Sequence, residues 1–300
     1  MFQIISDGPC DFTREEARTY NVDVVPCYVT FDQETYLKEG VEISTKDYFK
    51  RLIAEKDLRP KTAQPNPQDY IDAFTPYLEG GKDILVLTIS SKLSGSYSSA
   101  AMAAQMIAGD YPNRSIRVFD SQSVTIGQGL ILREILKMRD AGYSLEETLA
   151  LAEKVRETTR IYVTLDTLEY LKRGGRVGPT TALVGGILGL RPILQVENGE
   201  VSQLDNVRGK KHAYQLMEQG IIASLTDVKE DISMCVGHIL GEEDAIAFKA
   251  STEKALGIEI HTPITDIGAS VGTHAGPGAL GFAYCRKYDA FHGTKDVVTS

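Results

Sequence analysis

The residues of this chain best suited to chemistry are hydroxyls and one histidine, set among glycines and serines. Thr273 and His274 stand in "GTHAGPGALG", residues 272–281. Glycine lets backbone approach a ligand closely and proline holds a turn, so the stretch reads as a loop around a site. Ser90, Ser91, Ser94 and Ser96 crowd "TISSKLSGSYSSAA", which follows the strand-like "DILVL" and runs into an alanine-rich helix. The free N–H groups and dipole of a helix N-terminus favour an anion there, a carboxylate or a phosphate. Serines in that place also act simply as helix caps. Thr62 in "KTAQPNP" poses the same choice, a ligand contact or a turn residue. For His274 the alternatives are a hydrogen-bonded structural imidazole and a protonated one suited to a carboxylate.

Two further loops are basic. "YLKRGGRVG" carries Lys172, Arg173 and Arg176 around a glycine pair, and "NVRGKKHA" carries Arg208, Lys210 and Lys211. Either could meet a phosphate or an acidic partner surface, or be solvated loop charge. The chain as a whole is acidic, with 32 basic against 41 acidic side chains and a net charge of −9. That argues against broad binding to nucleic acid or anionic membrane, so an anion site must be local. Neither a P-loop nor HExxH occurs, and "GPGALG" precedes the strand-like "GFAYC" instead of opening a helix after a strand, so it is no dinucleotide fingerprint. Cys10, Cys27, Cys235 and Cys285 are widely spaced and form no CxxC, which reads as reduced core thiols and no metal site.

The elements that position these residues alternate as in an α/β protein. "FQIIS", "VDVVPCYVTF", "DILVLTIS" and "SIRVFD" read as buried strands. "TREE" from Thr13 and "SLEE" from Ser144 have capping-box spacing, and Asn66-Pro67 suits a helix start. Long helical stretches over about 123–141 and 144–158 close the first half, and "IYVTLD" opens a second unit. Domains over residues 1–160 and 161–300 are expected. In the second, Asn198-Gly199 signals a hairpin, followed by a helix, the strand "ISMCVGHIL", another helix and a strand at "IEIHTPI". No signal peptide or membrane span is recognisable, so a cytoplasmic location is expected.

Taken in order, "KTAQPNP", "SSKLSGSY", "DSQSVTIGQG", "LEYLKRGGRVG", "LGLRPIL" and "VGTHAGPGALG" resemble the DegV family, the fatty-acid-binding subunits of bacterial fatty acid kinases. The resemblance covers nearly the whole chain. It implies an α/β fold in two domains, the first with a mainly parallel sheet and the second mixed, with one long-chain fatty acid at their junction. Thr62, Ser94, Gly95, Thr273 and His274 would hold the carboxyl group. Arg173, Arg176 and Arg208 would serve the encounter with a separate ATP-binding kinase subunit or the phosphorylated product. The expected ligand is a fatty acid, with no other cofactor, no catalytic residue, no nucleic acid partner and at most transient membrane contact. "ALVGGILGL" could line the acyl tunnel. Two departures stand out: the family's Asp-Ser pair after the first strand is "SDGPCD" here, which leaves Asp7 without an assigned role, and Ala63 replaces a common serine. The rival reading is a serine-dependent hydrolase of an acyl ester or acyl phosphate, with Ser94 as nucleophile and His274 as its base. A lipid-sensing regulator would share the pocket and differ only in partner.

Overall fold

A computed structural model describes residues 2–55, 58–176, 190–225 and 231–291. The first half builds a four-stranded parallel sheet in the order β2-β1-β6-β7. Its strands are β1 (Gln3–Asp7), β2 (Val22–Val25), β6 (Ile84–Thr88) and β7 (Ile116–Asp120). Every residue of the two central strands, β1 and β6, is buried, as continuous apolar runs in a sheet covered on both faces should be. Helices α1 (Arg14–Thr19), α3 (Pro67–Glu79) and α4 (Ser96–Ile107) belong to this half. The expected capping boxes form at Thr13–Glu16 and Ser144–Glu147, and Asn66 caps α3 with Pro67 in its first turn.

The run "VDVVPCYVTF" is not one strand. Pro26 offers no N–H to a ladder, and the chain leaves the parallel sheet there. It resumes as β3 (Tyr28–Thr30), the centre of a small antiparallel sheet with β4 (Leu37–Lys38) and β5 (Lys61–Ala63). Helix α2 (Thr45–Ala54) lies between β4 and β5 in sequence. This break delivers Thr62 to the site, because β5 pairs with β3 through Thr62 and Val29.

Helices α5 (Thr125–Asp140) and α6 (Leu145–Thr158) lead to a six-stranded sheet in the order β10-β9-β8-β13-β11-β12. It comprises β8 (Arg160–Thr164), β9 (Leu190–Glu197), β10 (Glu200–Arg208), β11 (Ile232–His238), β12 (Thr265–Asp266) and β13 (Leu280–Arg286). All its pairings are antiparallel except β11 with β12. Four more helices belong here: α7 (Glu169–Gly174), α8 (Lys210–Leu225), α9 (Glu242–Leu256) and α10 (Ala269–Ala275). The Asn198-Gly199 hairpin joins β9 to β10 with positive φ at both residues, 52° and 82°, the mark of a type I′ turn. The strand expected at "IEIHTPI", residues 258–264, does not form; the short edge strand β12 begins just past it, at Thr265. Pro263 cannot donate to a ladder, and the backbone N–H of Ile260 is taken by Glu253 instead, at 2.8 Å.

Helix α5 is wedged between the two sheets and is buried nearly all round. Its Ile126, Leu130, Ile131 and Ile135 share one core with Ile4 and Leu87 of the parallel sheet and with Ile161, Cys235 and Ala283 of the mixed sheet. The two layers are therefore joined by apolar packing over the helix. All four cysteines are buried and unpaired, and burial pushes the Cys10 thiol up to about 12.

Candidate functional site

Beside this shared core lies a cavity of about 690 Å³, its open mouth included. Thr62, Ser94, Arg176 and His274 supply polar groups to its wall, and Ile89, Leu93, Val124, Leu171, Val201 and Val271 supply most of the apolar surface. These residues come from both halves of the chain. A second, smaller space of about 520 Å³ adjoins the polar wall, bordered by Lys61, Tyr170, Arg173 and Thr273 and sharing Thr62, Arg176 and His274.

His274 is carried by the last turn of α10, not by a loop as the glycines suggested. The segment "ASVGTHA" keeps a helical hydrogen-bond pattern through Gly272, whose N–H donates to Gly268 at 2.8 Å, and the loop begins only at Gly276. His274 Nε2 lies 3.0 Å from Thr62 Oγ1. Burial first, and then the charge of Arg176, depress the imidazole to about 4, so the ring is neutral at physiological pH. Of the two alternatives for this residue, the protonated imidazole is the disfavoured one: an apolar pocket with an arginine alongside opposes a second positive charge. His274 Nδ1 is buried without a hydrogen-bond partner, and it sits against Gly174, where an added Cβ would lie only 2.0 Å from it.

Thr273 points elsewhere. Its hydroxyl donates to Ala269 O at 2.7 Å and pairs with the buried Tyr48 hydroxyl at 2.6 Å, so it ties α10 to α2. It borders the smaller space and not the apolar cavity.

The four serines divide in the same way. Ser91 caps Asp120 through its N–H at 3.1 Å and its hydroxyl at 2.5 Å. Ser90 donates to Gly199 O at 2.9 Å. Ser96 is buried in the first turn of α4, 3.2 Å from Ser94 Oγ. Of the four, Ser94 faces the cavity. Gly95 is the N-cap of α4, makes no side-chain cap and leaves room for the Gln64 amide, which also lines the cavity.

Among the basic residues, Arg176 is placed at the cavity and donates to Leu93 O at 3.4 Å and Gly174 O at 2.5 Å. Among the described residues no carboxylate pairs with it, so its charge can answer an anion. Arg173 is held by Glu169 at 2.8 Å on the rim of the smaller space. Arg208 is exposed at the end of β10 and borders neither space. Lys210 pairs with Asp244, and Lys172 and Lys211 are exposed. Most of "ALVGGILGL", residues 182–190, and the end of "GGRVG" lie outside the described residues.

Asp7 acquires a structural place that its sequence context did not disclose. Its buried carboxylate accepts the Ile89 N–H at 3.1 and 3.2 Å and the Gln128 amide at 2.7 Å, and desolvation pushes it up to about 6. It thus anchors the start of the loop that ends in Ser94. An acidic residue at the carboxyl end of a first strand was the only available signal. Val201, an aliphatic residue two positions past a turn, carried none.

Among the described residues, no group of three metal-ligating side chains converges and no helix is long and apolar enough to cross a membrane. A mainly apolar cavity with hydroxyls, a neutral imidazole and a guanidinium that no described carboxylate pairs suits an amphiphile with a single anionic head.

Known proteins resemble this chain over nearly its whole length. A DegV domain-containing protein of Deinococcus radiodurans is 32% identical over 283 residues, covering 93% of this chain and 96% of the relative. A stearic-acid-binding protein of Eubacterium ventriosum superposes with a TM-score of 0.93 at 30% identity, over 97% of this chain and 100% of that one. A fatty-acid-binding DegV family protein of Thermus thermophilus gives 0.85 at 30% identity, over 95% and 99%. The profile of a family described as uncharacterised, the DegV family, matches residues 1–287, and the chain belongs to it.

Proposed function

We propose that this protein encloses one long-chain fatty acid and presents its carboxylate to a separate ATP-binding kinase subunit, which converts it to an acyl phosphate. The observation that carries this reading is the meeting of Thr62, Ser94, Arg176 and His274 in the lining of one mainly apolar cavity. The neutral imidazole can donate from Nε2 to Thr62 Oγ1, which frees the threonine hydroxyl to donate to the carboxylate. Ser94 and the uncapped start of α4 after Gly95 add donors, and Arg176 supplies the counter-charge. Thr273 contributes by fixing α10. Each CH₂ of the tail adds roughly 0.8 kcal/mol on burial, so the chain and not the head dominates affinity.

The smaller space beside Lys61, Arg173 and Arg176 is where the phosphoryl group and the kinase would approach; Arg208 borders neither space, and its part in the encounter rests on the family resemblance alone. In this reading the units 1–160 and 161–300 meet at the ligand: Thr62 and Ser94 come from the first, and Arg176, Val201 and His274 from the second. The protein needs no ATP site of its own, and a cytoplasmic carrier fits this role. The hydrolase reading has less support. Ser94 Oγ lies with Ser96 and His274 Nε2 lies with Thr62, so the nucleophile lacks contact with its base.

Mass spectrometry of lipid released from the purified, unfolded protein tests the core of the proposal. One fatty acid per chain is expected, and Ser94→Ala with His274→Ala should lower its affinity at unchanged melting temperature. An empty protein that takes up nothing from a fatty-acid mixture refutes it.

A further inference from the structure

The tip of the β9–β10 hairpin is fastened to the loop that carries Ser94. Ser90, with no exposed surface, donates its hydroxyl to the carbonyl of Gly199 at 2.9 Å. Two residues along the loop, Lys92 Nζ meets Glu200 Oε1 at 2.9 Å, with both side chains about half exposed. Gly199 is required at this contact, since its φ is 82° and an added Cβ would lie 2.6 Å from Ser90 Oγ. Immediately beyond the latch, Val201 turns inward, lines the cavity and packs against both the core around α5 and the core around Tyr48.

Beyond the tip, β9 is paired on both sides, whereas β10 is paired along β9 alone. β10 is an edge strand, and its register with β9 slips between Gln203 and Asp205, a bulge that bends a strand and weakens its ladder. Leu204 beside the bulge is exposed. Because Val201 lies between the latch and the bulge, a lifting of the tip would carry it away from the cavity.

We infer that Ser90 and Lys92 are positioning residues that hold Val201 against the acyl chain, so that the latch between loop 90–94 and the hairpin tip sets how fast a bound fatty acid leaves. The inference rests on the fatty-acid reading for its ligand but not for its geometry. Ser90 acts from below as a buried bond whose loss orphans the Gly199 carbonyl, and Lys92 acts from outside as a charge that salt can screen.

The test loads the full chain with a pyrene-labelled long-chain fatty acid and chases it into phosphatidylcholine vesicles. Ser90→Ala should release the probe roughly tenfold faster, as loss of one buried hydrogen bond implies. Lys92→Glu should release it about threefold faster at low ionic strength, and Glu200→Lys in the same chain should restore the wild-type rate. Added NaCl should speed release from wild type and not from Lys92→Glu. Wild-type release from both single variants overturns the latch. If Ser90→Ala does not fold, the charge swap decides alone, because its two side chains are solvent-exposed. If the wild-type chain takes up no probe, the proposed function has failed, and amide exchange at the hairpin tip then judges the latch: faster exchange in Lys92→Glu supports it, and unchanged exchange overturns it.

Discussion

Replacing Gly174 with alanine should uncouple ligand affinity from stability. Gly174 is the last residue of α7, and its added Cβ would lie 2.0 Å from His274 Nδ1, a full ångström short of the 3.0 Å below which real side chains essentially never approach. The imidazole must swing away and lose its 3.0 Å contact with Thr62. That bond is worth about 1 kcal/mol, and the hydrogen bond it supports to a carboxylate about 1.5–3 kcal/mol more. Together they amount to a loss of roughly fiftyfold to several-hundredfold in fatty-acid affinity. Global stability moves differently, because alanine in a helix is favoured over glycine by about 1 kcal/mol, which offsets the lost bond. Displacement of a fluorescent fatty acid, with thermal melting alongside, measures both quantities. Gly175→Ala is the control. Its φ of 68° makes alanine strained but nothing lies within 4 Å, so stability should fall with affinity retained. Affinity within threefold of wild type in Gly174→Ala would refute the placement of His274 at the head of the ligand.

Three other perturbations follow from the same geometry. Asp7 is raised from 3.8 to about 6 by burial, so the native state holds a proton that the unfolded state has lost between those values, and stability falls as pH rises through that window; Asp7→Asn should flatten this part of a melting-temperature profile between pH 4 and 7. Arg176→Gln should weaken fatty-acid binding about tenfold to a hundredfold and flatten its dependence on salt in calorimetric titrations, since no described carboxylate neutralises the guanidinium; an unchanged salt dependence would remove it as counter-charge. Tyr48→Phe deletes a hydroxyl 2.6 Å from Thr273, whose own hydroxyl still donates to Ala269, so melting should fall by about 2–4 °C with affinity within threefold; a large affinity loss would return Thr273 to the head group.

Much of the scaffold could be read from residue order. Three helix starts declared themselves through Thr13, Asn66 and Ser144, whose side chains accept free N–H groups of the first turn. The Asn198-Gly199 turn was equally explicit, because few other pairs tolerate two positive φ angles. What escaped depends on packing at a distance. Pro26 divides an apolar run whose two pieces enter different sheets, and only the tertiary fold decides that the second piece turns away. His274 sits in a helix disguised by four nearby glycines, and its neutrality arises from Arg176 and from burial in a site assembled from distant segments. The serine cluster could be recognised, but not the choice among its members, since Ser90 and Ser94 differ in role only because the hairpin comes down over the first.

The bond between Thr62 and His274 spans 212 residues. At the usual pace of synthesis, about 5–20 residues per second, roughly ten to forty seconds separate the two side chains as they emerge. During that interval the parallel sheet can close, but the wall that Val201, Val271 and His274 complete does not yet exist, and Ile89, Leu93 and Val124 face water. A growing chain therefore displays half of a greasy cleft before it can hold anything in it, and this is the stage at which a chaperone would find most to grip.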